Sequence, residues 1–460
     1  MDKFDLVIKN GKVFTSGDEY SADIGIRDGK IAAIAETLEN GEKIIDAAGK
    51  WIFPGAIDIH THLDAPLHGS HTLDDWYQGT YTAAFGGVTC VIDYPNQVVG
   101  ETVRQTIERI SANADGKAVV DYSFSPVLTD RTEEVFAELP ELIEEGFPTY
   151  KVFMAYDFKV DDTELTRLLD VISGAGGILG VHCENDLAIQ YKTKKMIEAG
   201  QGEPKYHPIS RPPVTEEEAT GRVVRIAEML GAPVLIVHVS AKGALREIAN
   251  GKNRGVKVFA ETCPHFLILD EKVYDQPIEE AAKYVVTPPI RTQEHRDALW
   301  DAMRAGTVSL VSSDHCAFSI KEKLRLGTGA FNKIPHGAPG IETRVPLLFS
   351  EGVMKERITP NKFVELVSTN PAKIAGLYPA KGTIAVGSDA DLLIMDAEKE
   401  HTISVDTLHG VCDFTPFEGY KTKGWIDTVV SRGTIVIEDD ELKAEPGTGK
   451  LVKRNKFKAF

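Results

Sequence analysis

The sequence is short of the features that would place a protein in a membrane, on nucleic acid or in a disulfide framework. Its 460 residues hold five cysteines, Cys90, Cys183, Cys263, Cys316 and Cys412. They are odd in number, scattered and without a C-x-x-C pair, which excludes a zinc ribbon and a cystine scaffold. Purely apolar runs such as 234–237 end after a few residues, whereas a membrane span needs about 20. At the start, Asp2, Lys3 and Asp5 interrupt any apolar signal-peptide core, so a cytoplasmic location is expected. Basic charge is also scarce: 51 Lys and Arg stand against 69 Asp and Glu, a formal charge of −18. Such an excess of carboxylate repels phosphate backbones and anionic lipid, so neither nucleic acid nor a membrane surface is expected as a partner. What is present is an ordinary globular composition, 42% hydrophobic, long enough for a large core and a smaller second domain. No internal repeat and no low-complexity tract is found.

The first fifty residues carry strand-like runs at 5–9, 23–27 and 31–34, separated by the turn signals Asn10-Gly11 and Asp28-Gly29-Lys30. From Gly55 the texture changes to apolar, β-branched runs alternating with amphipathic stretches, the pattern of βαβ units around a parallel sheet. Eight runs can be placed, at 56–62, 88–94, 119–125, 150–156, 178–184, 234–240, 257–262 and 308–314. Helices are predicted over 103–114, 132–145, 162–175, 215–230, 241–252 and 293–304. Eight strands close a (β/α)8 barrel, and the stretch 55–378 exceeds the roughly 250 residues typical of one, which leaves long loops to carry a site. After a helical segment at 360–377, strand texture returns at 382–384, 392–395, 428–431 and 434–437. The expected fold is α/β: a TIM-like (β/α)8 barrel over 55–378 and a smaller β-sandwich built from both chain ends, 1–54 and 379–460. The basic tail 450–458 is expected to be mobile or used in subunit contacts.

His60 and His62 close the first barrel run. Alternation along a strand turns both imidazoles to one face, near enough to share a metal. In a chain with 13 histidines, one such pair carries little weight alone. The weight comes from recurrence, since His182 lies late in the fifth run, His238 late in the sixth, and Asp314 ends the eighth. Ligands from different strands converge only at the C-terminal face of a barrel, and four imidazoles with a carboxylate suit Zn²⁺ or a similar divalent ion. Lys151, inside the apolar run 150–156, is the oddity, because an unpaired buried ammonium is costly. Three readings are open for it: an outward-facing solvated lysine, a lysine salt-bridged at the barrel mouth, or a lysine converted by carbon dioxide to a carbamate that bridges two metals. With one hydroxide and one Asp, that carbamate would leave two Zn²⁺ a modest residual positive charge. Cys183 and Cys316 are read as packing residues and His315 as structural. Glu184, Asp64 and Asp93 are loop polars or partners that orient an imidazole, and His68, His71 and His265 are surface or loop residues.

The run Gly55-Ala56-Ile57-Asp58-Ile59-His60-Thr61-His62-Leu63-Asp64, the segment Lys151-Val152-Phe153-Met154-Ala155-Tyr156, Ser313-Asp314-His315-Cys316, and the closing Lys381-Gly382-Thr383-Ile384 with Gly387-Ser388-Asp389-Ala390-Asp391-Leu392 resemble the cyclic amidohydrolases. The likeness extends over nearly the whole chain and is strongest to the hydantoinase/dihydropyrimidinase branch. It implies two Zn²⁺ per subunit, with Mn²⁺ or Co²⁺ as substitutes. His60, His62 and Asp314 would serve the more buried ion, His182 and His238 the other, and Lys151, as N6-carboxylysine, would bridge both. The resemblance also implies that Tyr156 holds the substrate oxygen, and that backbone around Thr287 and His336 binds the ring amide. Leu67 and Phe158, in the loops 64–72 and 157–162, would face the C5 substituent. Two positions depart from the family pattern, which has Ser where Thr287 stands and Asn where His336 stands.

The implied reaction is hydrolysis of a hydantoin or 5,6-dihydropyrimidine ring to the N-carbamoyl amino acid, with Asp314 as proton shuttle and a hydroxide bridging the ions as nucleophile. Two enzymatic alternatives open related rings. An allantoinase-like ureide hydrolase is one, and dihydroorotase is the other. The latter is disfavoured because its relatives place Arg two residues after the second His, where this chain has Asp64. A noncatalytic scaffold member of the family would lack metal ligands, whereas all six positions are filled here. The resemblance further implies a homotetramer, with a dimer as the alternative and the segment after Phe417 in the contacts.

Overall fold

The computed structural model describes residues 3–460. Asp2, one of the charges set against a signal peptide, lies outside the described residues. The eight barrel runs all form parallel strands: β1 (Ala56–Thr61), β2 (Val88–Asp93), β3 (Asp121–Phe124), β4 (Thr149–Phe153), β5 (Ile178–His182), β6 (Val234–Ile236), β7 (Val258–Thr262) and β8 (Leu310–Val311). β3, β2 and β1 pair in one section and β4 to β8 in another. The ring closes through single bridges, Val127 with Lys151 on one side and Thr61 with His315 on the other. Nearly every strand residue is buried, since helices cover the outside and side chains fill the inside, which is why the strands read as continuous apolar runs.

The covering helices begin where capping chemistry permits. Helix Val103–Ala114 starts at Thr102, whose side chain accepts from Gln105 N while Gln105 reaches back, and Asp161 with Glu164 does the same for Asp162–Gly174. Two of the longer helices had no sequence signal. Trp76–Phe85 is buried on most of its circumference and so shows no amphipathic period. Asp186–Glu198 is largely polar, with few buried residues. The helical segment expected at 360–377 runs from Pro360 to Ala375, with a π-helical turn at Glu365–Thr369.

The chain ends make a sandwich of two sheets. One is four-stranded, in the order Lys30–Ala35, Asp23–Arg27, Phe4–Lys9, Gly41–Asp46. In the other, Trp51–Pro54 lies against Leu392–Thr402 with Leu392 opposite Pro54, so both ends of the chain share one sheet. Leu6, Ile8, Ile24, Ile26, Ile52, Leu392 and Ile394 form a single buried cluster between the sheets. The hairpin at Asp28-Gly29 has positive φ at both residues, 51° and 74°, the twist a two-residue turn requires. Residues 382–384, expected as a strand, are irregular: Gly382 has φ 83°, and the Thr369 hydroxyl donates to its carbonyl.

Of the two expectations for the tail, the mobile one is overturned. Its backbone bonds in succession to Tyr122, Gly146, Gly376 and Gly176 along the N-terminal end of the barrel. Arg454, 4% exposed, donates to the hydroxyl of Thr149 and to the carbonyl of Phe124. Basic composition suggested a solvated segment, but the backbone bonds and one buried guanidinium dock it. No helix among the described residues is long and apolar enough to cross a membrane.

Candidate metal centre and active site

All six expected ligand positions meet at the C-terminal mouth of the barrel. His60 and Lys151 lie within β1 and β4, His182 ends β5, and His62, His238 and Asp314 follow β1, β6 and β8. Lys151 is 1% exposed, and its Nζ lies 2.7 Å from His60 Nε2, with the Tyr94 and Phe153 rings 4.5 and 4.7 Å away. The solvated reading of this lysine is therefore overturned. Burial pushes its pKa down to about 8, so the neutral amine is accessible near neutral pH.

Asp314 Oδ1 lies 3.0 Å from His60 Nε2 and 3.4 Å from His62 Nε2, and His182 Nδ1 lies 2.8 Å from His238 Nε2. Ligands of a tetrahedral zinc, with Zn–N near 2.0–2.1 Å, stand roughly 3.3 Å apart, so this spacing fits a metal. Among the described residues, His60, His62 and Asp314 form one group able to hold an ion. His238 and Asp314 carry φ of 40° and 51°, a left-handed strain that branched or bulky residues avoid and that clusters at functional sites.

Ring orientation is fixed from behind. Glu261 Oε1 lies 2.5 Å from His60 Nδ1, so that nitrogen carries the proton and Nε2 turns its lone pair to the centre. Glu184 does the same at His182 Nε2, 2.8 Å away, leaving Nδ1 to face His238. Arg211 holds Glu184 at 2.7 Å. Burial alone would raise the Glu184 pKa, but Arg211 and His182 reverse it and hold it at about 2. At Asp314 burial also raises the pKa, and His60 and His62 more than offset it, keeping the carboxylate well below its usual range. Burial drives His62 down to about 3 and His238 well below its ordinary value, so both stay neutral, as ligands must.

The sequence left Glu184, Asp64 and Asp93 unranked. Glu184 orients the His182 imidazole. Asp93 accepts from the Thr61 hydroxyl and Leu63 N, at 2.7 and 2.8 Å, and so fixes the chain on either side of His62. Asp64 instead accepts from Asn113 at 3.0 Å and pairs with the exposed His71 at 3.6 Å, away from the clustered imidazoles. Glu261 was missed, although a carboxylate inside the apolar run 257–262 is the same kind of signal as Lys151 inside its own. His315 Nε2 donates to Asp74 at 2.9 Å and is structural. Cys183 packs behind the strand, its thiol on the Val181 carbonyl, whereas Cys316 lines the cavity. His71 is exposed, and His68 stands exposed at the cavity mouth, 5.0 Å from the His336 ring. His265 is not a surface residue but is buried beside Asp314, because a short helix, Pro264–Ile268, carries it back over the barrel.

His62, Lys151, His182, His238 and Asp314 open into a cavity of about 620 Å³ lined also by Leu67, Tyr156, Phe158, Thr287 and His336. Tyr156, at φ 73°, stacks on Phe158 with ring centroids 5.8 Å apart, and burial raises its phenol to about 12. The Thr287 hydroxyl lies 2.7 Å from His336 Nδ1, so the two departures from the family pattern touch each other.

Residues 51–436 match the amidohydrolase family. The chain is 47% identical over 458 residues to a D-hydantoinase of Geobacillus stearothermophilus, covering 99% of this chain and 97% of that protein. It is 37% identical to a D-phenylhydantoinase of Escherichia coli over 98% of each. A crystal structure of a D-hydantoinase superposes with a TM-score of 0.96 at 45% identity, covering 98% of this chain and 99% of the other. The dihydropyrimidinase of Brevibacillus agri superposes with a TM-score of 0.97 at 41% identity, over 98% and 99%. With the barrel, the sandwich and the His/Asp cluster at its mouth, these likenesses show that the chain belongs to the amidohydrolase family, in its hydantoinase/dihydropyrimidinase branch.

Proposed function

We propose that the protein hydrolyses the cyclic amide bond of hydantoins or 5,6-dihydropyrimidines to give N-carbamoyl amino acids, at a pair of divalent ions. Zn²⁺ is the ion the donor set suits, with Mn²⁺ or Co²⁺ as replacements. The observation that carries this reading is the convergence of four imidazoles and Asp314 on Lys151, a buried amine that rests on an imidazole nitrogen 2.7 Å away. An ammonium there is poorly compensated. Addition of CO₂ to the neutral amine forms an N–C bond, releases one proton to solvent and leaves an anion with two oxygens. His60, His62 and Asp314 would then hold one ion, His182 and His238 the other, and the carbamate would span both. When bound, the ions supply a water of lowered pKa and polarise the scissile carbonyl.

The chain's own groups do the rest. Asp314, ionised and free of a basic side-chain partner other than imidazole, takes the proton of the attacking water and hands it to the leaving ring nitrogen. Tyr156 stays protonated and donates to the oxygen that becomes negative. Main chain at Thr287 and His336 receives the ring amide, and Leu67 and Phe158 wall the C5 substituent. Assembly as a homotetramer, or a dimer, follows the same resemblance. The test is a panel of dihydrouracil, hydantoin, D- and L-phenylhydantoin and allantoin, run with and without chelator. Chelator-sensitive opening of the hydantoins or dihydrouracil is expected. Turnover of allantoin alone, or of nothing in metal-replete enzyme, would contradict the reading.

A further inference from the structure

After β8 the chain buries a second lysine that the reaction above does not use. Lys323 lies on the short helix Ile320–Leu326 and is fully buried. Its ammonium has no carboxylate partner among the described residues. It donates instead to the carbonyls of Ala282 and Val285, at 3.1 and 3.2 Å, with the Phe414 ring 5.8 Å away. Burial pulls its pKa down to about 7, the mark of a cation kept where an apolar side chain would cost less.

What the ammonium holds supplies a reason for that cost. A carbonyl oxygen has two lone pairs, and the Val285 oxygen accepts both from Lys323 Nζ and from the Gly337 N–H, the latter at 3.0 Å. Val285 stands two residues before Thr287, and Gly337 directly follows His336. The two segments whose main chain would receive the ring amide therefore meet at one oxygen. Lys323 grips that oxygen and, through Ala282, the turn Ala282–Tyr284 that leads into it. The side chains of Thr287 and His336 join the same segments a second time, at 2.7 Å. Gly337 has φ 148°, and a Cβ there would run into the Cys316 carbonyl oxygen, so its backbone has little room to follow if Val285 moves.

We propose that Lys323 is a positioning residue for substrate binding: by tying Val285 to its own helix, it sets the spacing of the two main-chain segments that receive the ring amide. What those segments bind rests on the function proposed above, whereas the tie itself does not. The ring amide is common to hydantoins and dihydropyrimidines, so loosening the tie weakens every ring substrate alike, whatever its C5 substituent. Asp314 and Tyr156, which act on the breaking bond, stay where they are.

The experiment compares the metal-loaded parent with Lys323→Met, which keeps the bulk of the stem and removes the N–H donors. Two readouts are taken: steady-state kinetics on hydantoin, dihydrouracil and D-phenylhydantoin, and amide hydrogen exchange over 282–288 and 334–340. KM is expected to rise at least about tenfold, the worth of a hydrogen bond from a charged donor, by a similar factor for all three rings and with kcat held. The Gly337 amide should exchange at least about tenfold faster, while the tail docked at the other end of the barrel keeps its protection. Should Lys323→Met fail to fold, Lys323→Gln, which keeps a polar tip on a shorter stem, is read in the same way. Unaltered exchange at Gly337 would overturn the tie. Faster exchange with unaltered KM, a fall in kcat at constant KM, or a KM rise confined to D-phenylhydantoin would overturn the role in binding the ring. A parent enzyme inactive on every ring substrate, with the exchange difference present, would leave the tie standing and the proposed function refuted.

Discussion

The two ends of the barrel bury polar groups in opposite ways. At the N-terminal end, Lys381 reaches Asp121, Asp391 and Asp389 at 2.8, 2.7 and 3.0 Å, Arg432 adds a second cation to Asp121 at 2.9 Å, and Arg454 of the tail caps backbone and hydroxyl oxygens. Around Lys381 charge is matched by opposite charge, across the joint between barrel and sandwich. At the C-terminal end an amine sits among imidazoles, buried atoms such as His62 Nδ1, His238 Nδ1 and Glu261 Oε2 lack partners, and five non-glycine residues hold positive φ, Asp64, His68, Tyr156, His238 and Asp314. The Lys381 cluster is complete as protein, its ammonium paired with three carboxylates. The C-terminal end is incomplete in a way that a metal pair and a carbamate would complete, which is the pattern expected where stability gives way to function.

Substitutions at the two ends should therefore fail differently. Asp314→Asn, at the open end, should lower kcat by about 10²–10⁴ with little change in KM or in melting temperature. A rise in KM at constant kcat would remove the proton-transfer role. Lys381→Ala, at the closed end, strands Asp391, leaves Asp121 to Arg432 alone, and should cost about 3–5 kcal/mol in denaturant unfolding. The kcat of the remaining folded enzyme should hold, and a stable Lys381→Ala protein would undo the contrast between the ends. The smallest effect is expected at Glu261→Gln, which keeps the shape but weakens the grip on His60. Metal affinity should drop about 10–100-fold by competition with a chelator, while full affinity would mean that the His60 ring is oriented by packing alone.

The barrel was legible because both faces of its strands are buried, so each strand appears as an apolar β-branched run, and because ligands recur at the ends of those runs. His60, His62, His182, His238 and Asp314 could be lined up this way. Lys151 and Glu261 show where that legibility thins, since each is a charge inside an apolar strand. A charge of that kind signals a site without saying what compensates it, and the 2.5 Å contact between Glu261 and His60 joins residues 201 positions apart. The helix Trp76–Phe85 left no trace because burial on most sides erases the helical period. His265 as a surface or loop residue and the tail as a mobile segment fail for one reason: sequence shows polarity, but only the fold shows what a polar group is packed against. Arg454 and His265 are both polar residues in loop-like stretches, and both are buried.

The most direct test is metal analysis of purified, active enzyme alongside Lys151→Ala. The expected result is two divalent ions per chain in the parent, neither in the variant, and turnover lost with them. Full metal occupancy and ordinary turnover in Lys151→Ala, or active parent enzyme holding no ion, would contradict a metal pair bridged by a modified lysine.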